Sequence, residues 1–169
     1  RSAAWPGVIN PGKRTDAMVQ WIDLLPTFIE AAGGKAPDGI DGNSFLPVLQ
    51  GKTHTHRDVI FTTHSGDGRM NVYPIRALRT GDWKLILNLH PEFAHTTHID
   101  KALAKDGGAY WTSWFEAAKT NAGAAAKVKA YHERPAVELY NLRTDPFETK
   151  NLASDPAQGA RVKELRAQL

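Results

Sequence analysis

The polar residues best suited to bind a ligand lie in two neighbouring segments near the middle of the chain. They are His64, Asp67, Arg69, Tyr73 and Arg76. Glycines interspersed among the first three leave their segment free to bend. Arginine presents a planar fork of donors to oxyanions, while imidazole and carboxylate groups can bond to sugar hydroxyls. This pattern predicts a polar loop whose residue types are suited to bind sugar hydroxyls, a carboxylate or a sulfate.

The same residues also have purely structural interpretations, which stay open at this point. Asp67 followed by glycine is typical of a turn, and His64 could be a half-buried polar residue. Alternate positions of a strand often direct arginine toward solvent, which favours a salt bridge on a sheet for Arg76 and Arg79.

Three histidines raise the question of a metal site, because His90, His95 and His98 fall within nine residues. The neighbouring proline and threonines indicate an irregular surface loop, so we expect no metal to be bound by this chain. The sequence contains no cysteine, which excludes disulfides, thiolate zinc sites and cysteine nucleophiles within it.

Composition limits the class of protein. The chain has 169 residues, of which 41% are hydrophobic and 23% are charged, as in a globular protein with its own core. Its net charge of +3 is spread along the sequence rather than gathered in a basic arm, so we expect no nucleic-acid partner. No apolar run reaches the roughly 18 residues of a transmembrane helix, so we expect no membrane partner.

Local patterns predict a mixed architecture of helices and a small antiparallel sheet. In the first part, an N-cap at Asp23 begins a helix over Leu24–Ala32, whose apolar face needs a partner surface, and Ser44–Gln50 forms a short helical turn. In the second part the expected elements are strands at Val59–Phe61, Ile75–Arg79, Trp83–Leu87 and Val137–Tyr140, a helix over Tyr110–Ala130 interrupted near Gly123, and a last helix from Pro156 to Leu169 capped by Asp155.

Four segments, in order, carry a resemblance to a known family. They are Trp5-Pro6-Gly7, residues 22–27 (Ile-Asp-Leu-Leu-Pro-Thr), residues 41–49 (Asp-Gly-Asn-Ser-Phe-Leu-Pro-Val-Leu), and Glu138-Leu-Tyr-Asn-Leu continuing through Asp145-Pro146, Glu148 and Asn151-Leu152. Together they resemble the C-terminal part of sulfatases. Residues 73–79 are similar to the Tyr-Pro-Met-Arg stretch of heparan N-sulfatases, which favours that branch. Each segment also has an ordinary architectural role, such as chain reversal at Asp145-Pro146.

The resemblance implies a fold. Sulfatases have an alkaline-phosphatase-like α/β domain followed by a smaller subdomain, in which an antiparallel sheet is packed by a C-terminal helix. On this mapping residues 1–52 are the end of the large domain, and residues 53–169 are the C-terminal subdomain. The fold class is α/β for the whole protein and α+β for this part.

The resemblance also implies a chemistry. Sulfatases use a formylglycine, made from Cys or Ser in a C/S-x-P-x-R motif, together with a calcium ion, and this sequence has neither the motif nor an obvious acidic cluster. We therefore expect the chain to be inactive alone, with no catalytic and no metal residue of its own. The implied partners are a sulfated sugar and the remainder of the catalytic domain. A start at Arg1 without methionine indicates a processed or excised chain, and we expect an exported protein, periplasmic, extracellular or lysosomal.

Two other functions are compatible with the same residues. One is a phosphodiester or phosphonate monoester hydrolase of the same superfamily. The other is a non-catalytic module that binds a polyanionic glycan through the mild positive charge of the chain.

Overall fold

The computed structural model describes residues 5–9, 12–66, 72–101 and 108–169. They fall into two compact units, Arg1–Ile60 and Phe61–Leu169. How these units correspond to the domains of a longer protein stays a prediction.

The first unit opens with a turn at Trp5-Pro6-Gly7. The amides of Val8 and Ile9 both donate to the carbonyl oxygen of Trp5, at 3.0 and 2.9 Å. Gly7 has a φ of 78°, a left-handed conformation that glycine adopts without strain. The motif therefore has the architectural role expected of it.

Helix α1 spans Leu24–Ala31 and follows a 3-10 turn over Trp21–Asp23, so the predicted helix is confirmed to within one residue. Asp23 occupies the predicted N-cap position, but its side chain makes no capping hydrogen bond to α1. The carboxylate turns into the unit instead, where it accepts from the amides of Gln20 (2.9 Å) and Asn43 (3.0 Å). Asp23 does not cap α1 because a buried carboxylate needs more hydrogen-bond donors than one helix end supplies.

The buried side of α1 differs from the apolar face that the sequence pattern indicated. Pro26 and Thr27 are buried, whereas Leu25 and Phe28 are 56% and 64% exposed. Thr27 Oγ1 accepts from the amide of Phe45 at 3.0 Å, which positions helix α2, Leu46–Leu49. The predicted helical turn at residues 44–50 is thus confirmed.

The second unit contains one four-stranded sheet. Its strands are β1 (Ile60–His64), β2 (Ile75–Arg79), β3 (Trp83–Asn88) and β4 (Val137–Asn141), in the spatial order β1-β2-β3-β4. The pairs β2/β3 and β3/β4 are antiparallel, as predicted. Strand β1 continues through His64, so the expectation that His64 begins the loop after this strand is wrong.

The two faces of the sheet have different compositions. On one face Leu78, Leu85 and Leu139 lie opposite one another and are completely buried. Leu165 of helix α6, Gly159–Gln168, is buried as well, and α6 packs against β3. Each buried leucine contributes about 1.5–3 kcal/mol to folding. The other face carries Ala77, Ile86 and Glu138 in register, and it is mixed rather than apolar.

In the described part of the chain between β3 and β4, the structure has three helices. They are α3 (His98–Lys101), α4 (Ala109–Ala118) and α5 (Ala122–His132). The helix break that was predicted near Gly123 lies two residues earlier in the structure. The break falls at Asn121, whose Oδ1 accepts from the amide of Ala124 at 3.0 Å and so caps α5. Glycine is tolerated in a first helical turn, where most amides lack helical partners anyway.

The chain ends as predicted with a capped helix. Asp155 Oδ1 accepts from the amide of Ala157 at 2.9 Å, and a 3-10 turn over Pro156–Gln158 leads into α6. Among the described residues, every helix is too short or too polar to traverse a bilayer. The predicted combination of helices with a small antiparallel sheet is confirmed.

Candidate functional site

The mixed face of the sheet bears a cavity of about 260 Å³. Apolar side chains of β2 and β3, including Ala77 and Ile86, contribute to its lining. The polar residues of its lining are Thr62, Thr63, His64, Lys84 and Arg134. A concave surface with an apolar lining and a few polar groups is the usual form of a small-ligand site.

His64 is the predicted site residue that lines this cavity. It is the last residue of β1 and is half-buried. Its backbone oxygen accepts a hydrogen bond from Nη1 of Arg76 at 3.1 Å. The backbone at the end of β1 is therefore fixed by a side chain of the neighbouring strand.

Arg76 contacts backbone and hydroxyl groups on the described part of the chain. Nη1 donates to the carbonyl oxygens of His64 and Ile75, the latter at 2.9 Å, and lies 3.4 Å from Oγ of Ser65. These contacts match the structural interpretation of this arginine, although they connect strands rather than form a salt bridge. Its role in substrate binding stays a prediction.

Tyr73 is 1% exposed, which makes it one of the most buried side chains of the second unit. Its ring meets that of His95 edge-on, with centroids 5.2 Å apart. Burial raises the pKa of Tyr73 above that of a free phenol. The other two predicted site residues, Asp67 and Arg69, lie outside the described residues.

Arg134 is a cavity residue that the sequence pattern does not single out. Its Nη1 lies 4.0 Å from Oε1 of Glu138, four residues further along the chain. Glu138 is buried and accepts from the hydroxyl of Tyr140 at 2.5 Å and from Nδ2 of Asn88 at 2.7 Å. The sequence offers no signal for Arg134, because alternation along β4 places Leu139 and not Glu138 on the apolar face.

Lys84 is the second cation of the cavity wall. Its Nζ donates to both carboxylate oxygens of Glu148, at 2.9 and 2.8 Å. Glu148 adopts a φ of 55°, an uncommon conformation for a residue with a side chain. This ion pair links β3 to the turn that follows β4, and it occupies the ammonium group of Lys84.

The three histidines considered as metal ligands are in different environments. His90 Nδ1 lies 2.8 Å from Oε1 of Glu92 at an exposed position, whereas His95 is enclosed by aromatic rings. Within the described ranges, no group of three or more His, Cys, Asp or Glu side chains is arranged to hold a metal ion. The described residues therefore do not form a site for the calcium ion that the sulfatase resemblance implies.

Comparison with known proteins first identifies the class, because the curated relatives that match nearly the whole chain are sulfatases. One is the "Ulvan-active sulfatase" of Formosa agariphila, which is 37% identical over 91% of this chain and 28% of its own length. Another is the human N-sulphoglucosamine sulphohydrolase, 25% identical over 98% of this chain and 36% of its own length.

The family itself is identified by a match to a protein-family model. The chain belongs to the family described as "N-sulphoglucosamine sulphohydrolase, C-terminal", whose model matches residues 2–100. A solved structure described as a complex with its substrate D-glucosamine-2-N,6-O-disulfate has the same fold over 98% of this chain and 26% of its own length. Its TM-score is 0.63 and its sequence identity is 22%.

The predicted sulfatase resemblance is thereby confirmed. The chain spans about a quarter to a third of the length of these three relatives.

Proposed function

We propose that this chain is the C-terminal part of a sulfatase that hydrolyses sulfate esters or N-sulfate groups of a sulfated sugar. The observation that carries the proposal is the sulfatase match over more than nine-tenths of the chain. The family description favours an N-sulfated glucosamine, while the 37% identical relative is named for ulvan. Both sugars belong in the assay.

The proposal includes inactivity of the isolated chain. Hydrolysis of a sulfate ester needs a nucleophile, a cation that neutralises the sulfate oxygens, and an acid that protonates the leaving atom. The chain has no cysteine, and its described residues form no group of metal ligands. The formylglycine and the calcium site would therefore come from the remainder of the catalytic domain.

An exposed apolar face supports this partner. In the first unit, Trp21 and Phe28 are exposed by 81% and 64%, and Ile22 and Leu25 by about half. Trp21, Leu25 and Phe28 recur at helical spacing, and an exposed apolar face of this kind indicates a protein interface. We propose that residues 1–52 are the end of the large sulfatase domain, and that other parts of that domain cover this face.

Sulfate release tests the function directly. We expect the full-length protein, and not the isolated 169 residues, to release sulfate from glucosamine N-sulfate, a 6-O-sulfated glucosamine or an ulvan oligosaccharide. An aryl sulfate and an aryl phosphate diester, assayed side by side, distinguish a sulfatase from a phosphodiesterase. Turnover of the diester alone would refute the proposed sulfatase activity. Sulfate release by the isolated chain would refute its proposed inactivity. Cell fractionation would test the proposed export.

Two substitutions test the predicted substrate loop. In the full-length enzyme His64→Ala and Asp67→Ala should raise KM more than they lower kcat, because a binding contact is lost without loss of the reacting groups. His54→Ala, at an exposed position of the first unit, is the matched control and should leave both constants unchanged. Wild-type kinetics for both loop variants would remove this loop from the substrate site.

A further inference from the structure

Arg134 has hydrogen-bonding capacity that the described residues do not use. A guanidinium carries five N–H donors, yet the buried Nε of Arg134 has no hydrogen-bond partner in the part of the chain that the structure describes. The carboxylate oxygen nearest to Nη1 is 4.0 Å away, beyond the usual 2.7–3.2 Å of a hydrogen bond. The two opposite charges therefore attract each other, but Arg134 Nη1 and Glu138 Oε1 do not form a hydrogen bond.

Glu138 is held in a position from which it does not bind Arg134 more closely. One carboxylate oxygen accepts from Tyr140 and the other from Asn88. Asn88 is fixed in turn, because its Nδ2 also donates to the carbonyl oxygen of Pro135 at 2.6 Å. A shift of Glu138 toward the guanidinium would break two buried hydrogen bonds, each of which costs more to leave unmade than it contributes when formed.

The other cation of the cavity is already satisfied. Lys84 bonds to both oxygens of Glu148, so its charge is neutralised at contact distance. Arg134 is 26% exposed and borders the cavity, and Thr62 and Thr63 of β1 contribute to its lining. The cavity therefore combines one arginine with spare donors, small hydroxyl groups and a partly apolar lining.

The lining and the size of the cavity define what it can hold. Ala77 and Ile86 are buried and reduce the local dielectric constant, which strengthens a charge-assisted hydrogen bond. Pockets for drug-sized ligands measure about 300–1,000 Å³, so 260 Å³ suits a single charged substituent or one sugar ring.

We propose that Arg134 makes this cavity a binding site for an oxyanion, either a sulfate or a carboxylate group carried by a sugar. The identity of the sugar rests on the proposed function, whereas the binding of an oxyanion does not. The Arg134 side chain, which is 26% exposed, offers the anion charge-assisted hydrogen bonds, and threonines of β1 contribute to the same lining.

The experiment compares substrates that share one sulfate and differ in a second acidic group. The full-length enzyme is assayed with glucosamine N-sulfate, with glucosamine-2-N,6-O-disulfate and with the N-sulfated sugar linked to a uronate. Arg134→Gln should raise KM about tenfold or more for the disulfate if the site takes a sulfate, or for the uronate if it takes a carboxylate. The ratio of this KM to the KM for glucosamine N-sulfate should rise in Arg134→Gln relative to the wild type.

Arg143→Gln is the matched control, because it removes the same charge from an exposed position after β4. Arg134→Lys keeps the charge without the fork and should give intermediate KM values. If Arg134→Gln does not fold, the comparison is made with Arg134→Lys instead. Equal KM ratios for the variants at positions 134 and 143 would overturn the inference.

A second readout separates this inference from the proposed function. If the wild-type protein turns over none of the three sugars, the proposed function fails, and anion binding is then measured with sodium sulfate against sodium chloride at equal ionic strength. Sulfate should raise the Tm of the wild type and of Arg143→Gln more than that of Arg134→Gln. The same rise in all three proteins would overturn the oxyanion site.

Discussion

Arg57 donates hydrogen bonds to both carboxylate oxygens of Asp23, across 34 residues of the first unit. The bond from Nε to Oδ2 is 2.8 Å long, and Asp23 is completely buried. The same carboxylate accepts from the amides of Gln20 and Asn43, so it joins the start of α1 to two later segments. Asp23, one of the residues that carried the family resemblance, is therefore a structural centre and not a reacting group.

Replacing Asp23 by asparagine should destabilise the first unit by about 3–5 kcal/mol. The change keeps the shape of the side chain but leaves the charge of Arg57 without its partner in a partly buried site. Urea unfolding of the full-length protein measures the effect. Asp16→Asn, at an exposed position in the same unit, is the control and should change stability by less than about 0.5 kcal/mol. Equal effects of the two substitutions would contradict the structural role.

The ion pair between Asp23 and Arg57 makes the stability of the first unit depend on pH. Burial alone would raise the pKa of Asp23, but the hydrogen bonds from Arg57, Asn43 and Gln20 outweigh it and hold this pKa well below its usual range. A depressed carboxyl pKa stabilises the fold above the unfolded value of about 3.9, and the stabilisation is lost as the pH falls below it. Wild-type stability should thus decline below about pH 4 more steeply than that of Asp23→Asn.

Gly42 should not tolerate a side chain. A methyl group at this position would overlap the carbonyl oxygen of Ile22 and lie 2.7 Å from its carbonyl carbon. Both are backbone atoms next to Asp23, so relief of the overlap would disturb the bond from Asn43. Gly42→Ala should cost about 1–3 kcal/mol or more. Thermal unfolding provides the measurement.

The control for Gly42 is another glycine with free space around it. A methyl group on Gly159, the first residue of α6, meets nothing within 4 Å. Gly159→Ala should leave stability unchanged or raise it by up to about 1 kcal/mol, since alanine favours a helix. If Gly42→Ala were as well tolerated, the close approach of the two backbone segments would be wrong.

The elements that the sequence predicts well depend on neighbours along the chain. The hairpin of β2 and β3 and the Asp155 cap of α6 follow from residues within a few positions of one another, where alternation and capping chemistry decide the outcome. Helix α1 is predictable for the same reason. Its buried side is not, because burial depends on contacts such as that between Thr27 and Phe45, which are far apart in sequence.

The candidate site shows the same limit. The residue type of His64 predicts a ligand contact; His64 lines the cavity, and the contact itself stays a prediction. Arg134 escapes prediction because its importance comes from Asn88 and Glu138, which meet through strand pairing over 50 residues. A lone arginine before a strand carries no such information in the sequence. Only the register of β3 and β4 places these groups together.

His95 should make the stability of the second unit fall in mild acid. Burial, followed by the positive charge of Arg134, lowers the pKa of His95 from its ordinary 6.5 to about 4. A histidine with a lowered pKa stabilises the folded state above 6.5, and the contribution is lost as the pH falls from 6.5 toward 4. His95→Phe should flatten the stability profile across this window.

The control is His54→Phe, at an exposed position in the first unit, which should retain the wild-type profile. The ring of His95 packs edge-on against Tyr73 and Tyr131, with centroids 5.2 and 5.0 Å away, so phenylalanine preserves the aromatic contact. Urea midpoints at pH 7, 5.5 and 4.5 provide the comparison. Parallel profiles of His95→Phe and the wild type would show that His95 is protonated as easily in the folded as in the unfolded chain.

Asn151 substitutes for a fifth strand at the outer edge of β4. Its Oδ1 accepts from the amides of Leu139 and Ala153, both at 2.9 Å, and its Nδ2 donates to the carbonyl oxygen of Val137 at 3.1 Å. Next to it, the amide of Leu152 donates to the carbonyl oxygen of Leu139 at 2.8 Å. An asparagine followed by leucine therefore satisfies a strand edge that would otherwise be open to pairing with another chain.

Asn151→Ala should lower stability by about 1–3 kcal/mol, because it leaves backbone groups of β4 without partners. Asn151→Asp keeps the acceptor and loses the donor, so its cost should be intermediate, and the exposed Gln168→Ala should cost less than about 0.5 kcal/mol. Hydrogen exchange of the Leu139 amide distinguishes this contact from general destabilisation. It should accelerate more in Asn151→Ala than in Asn151→Asp, and an unchanged rate in both would show that the amide does not depend on Asn151.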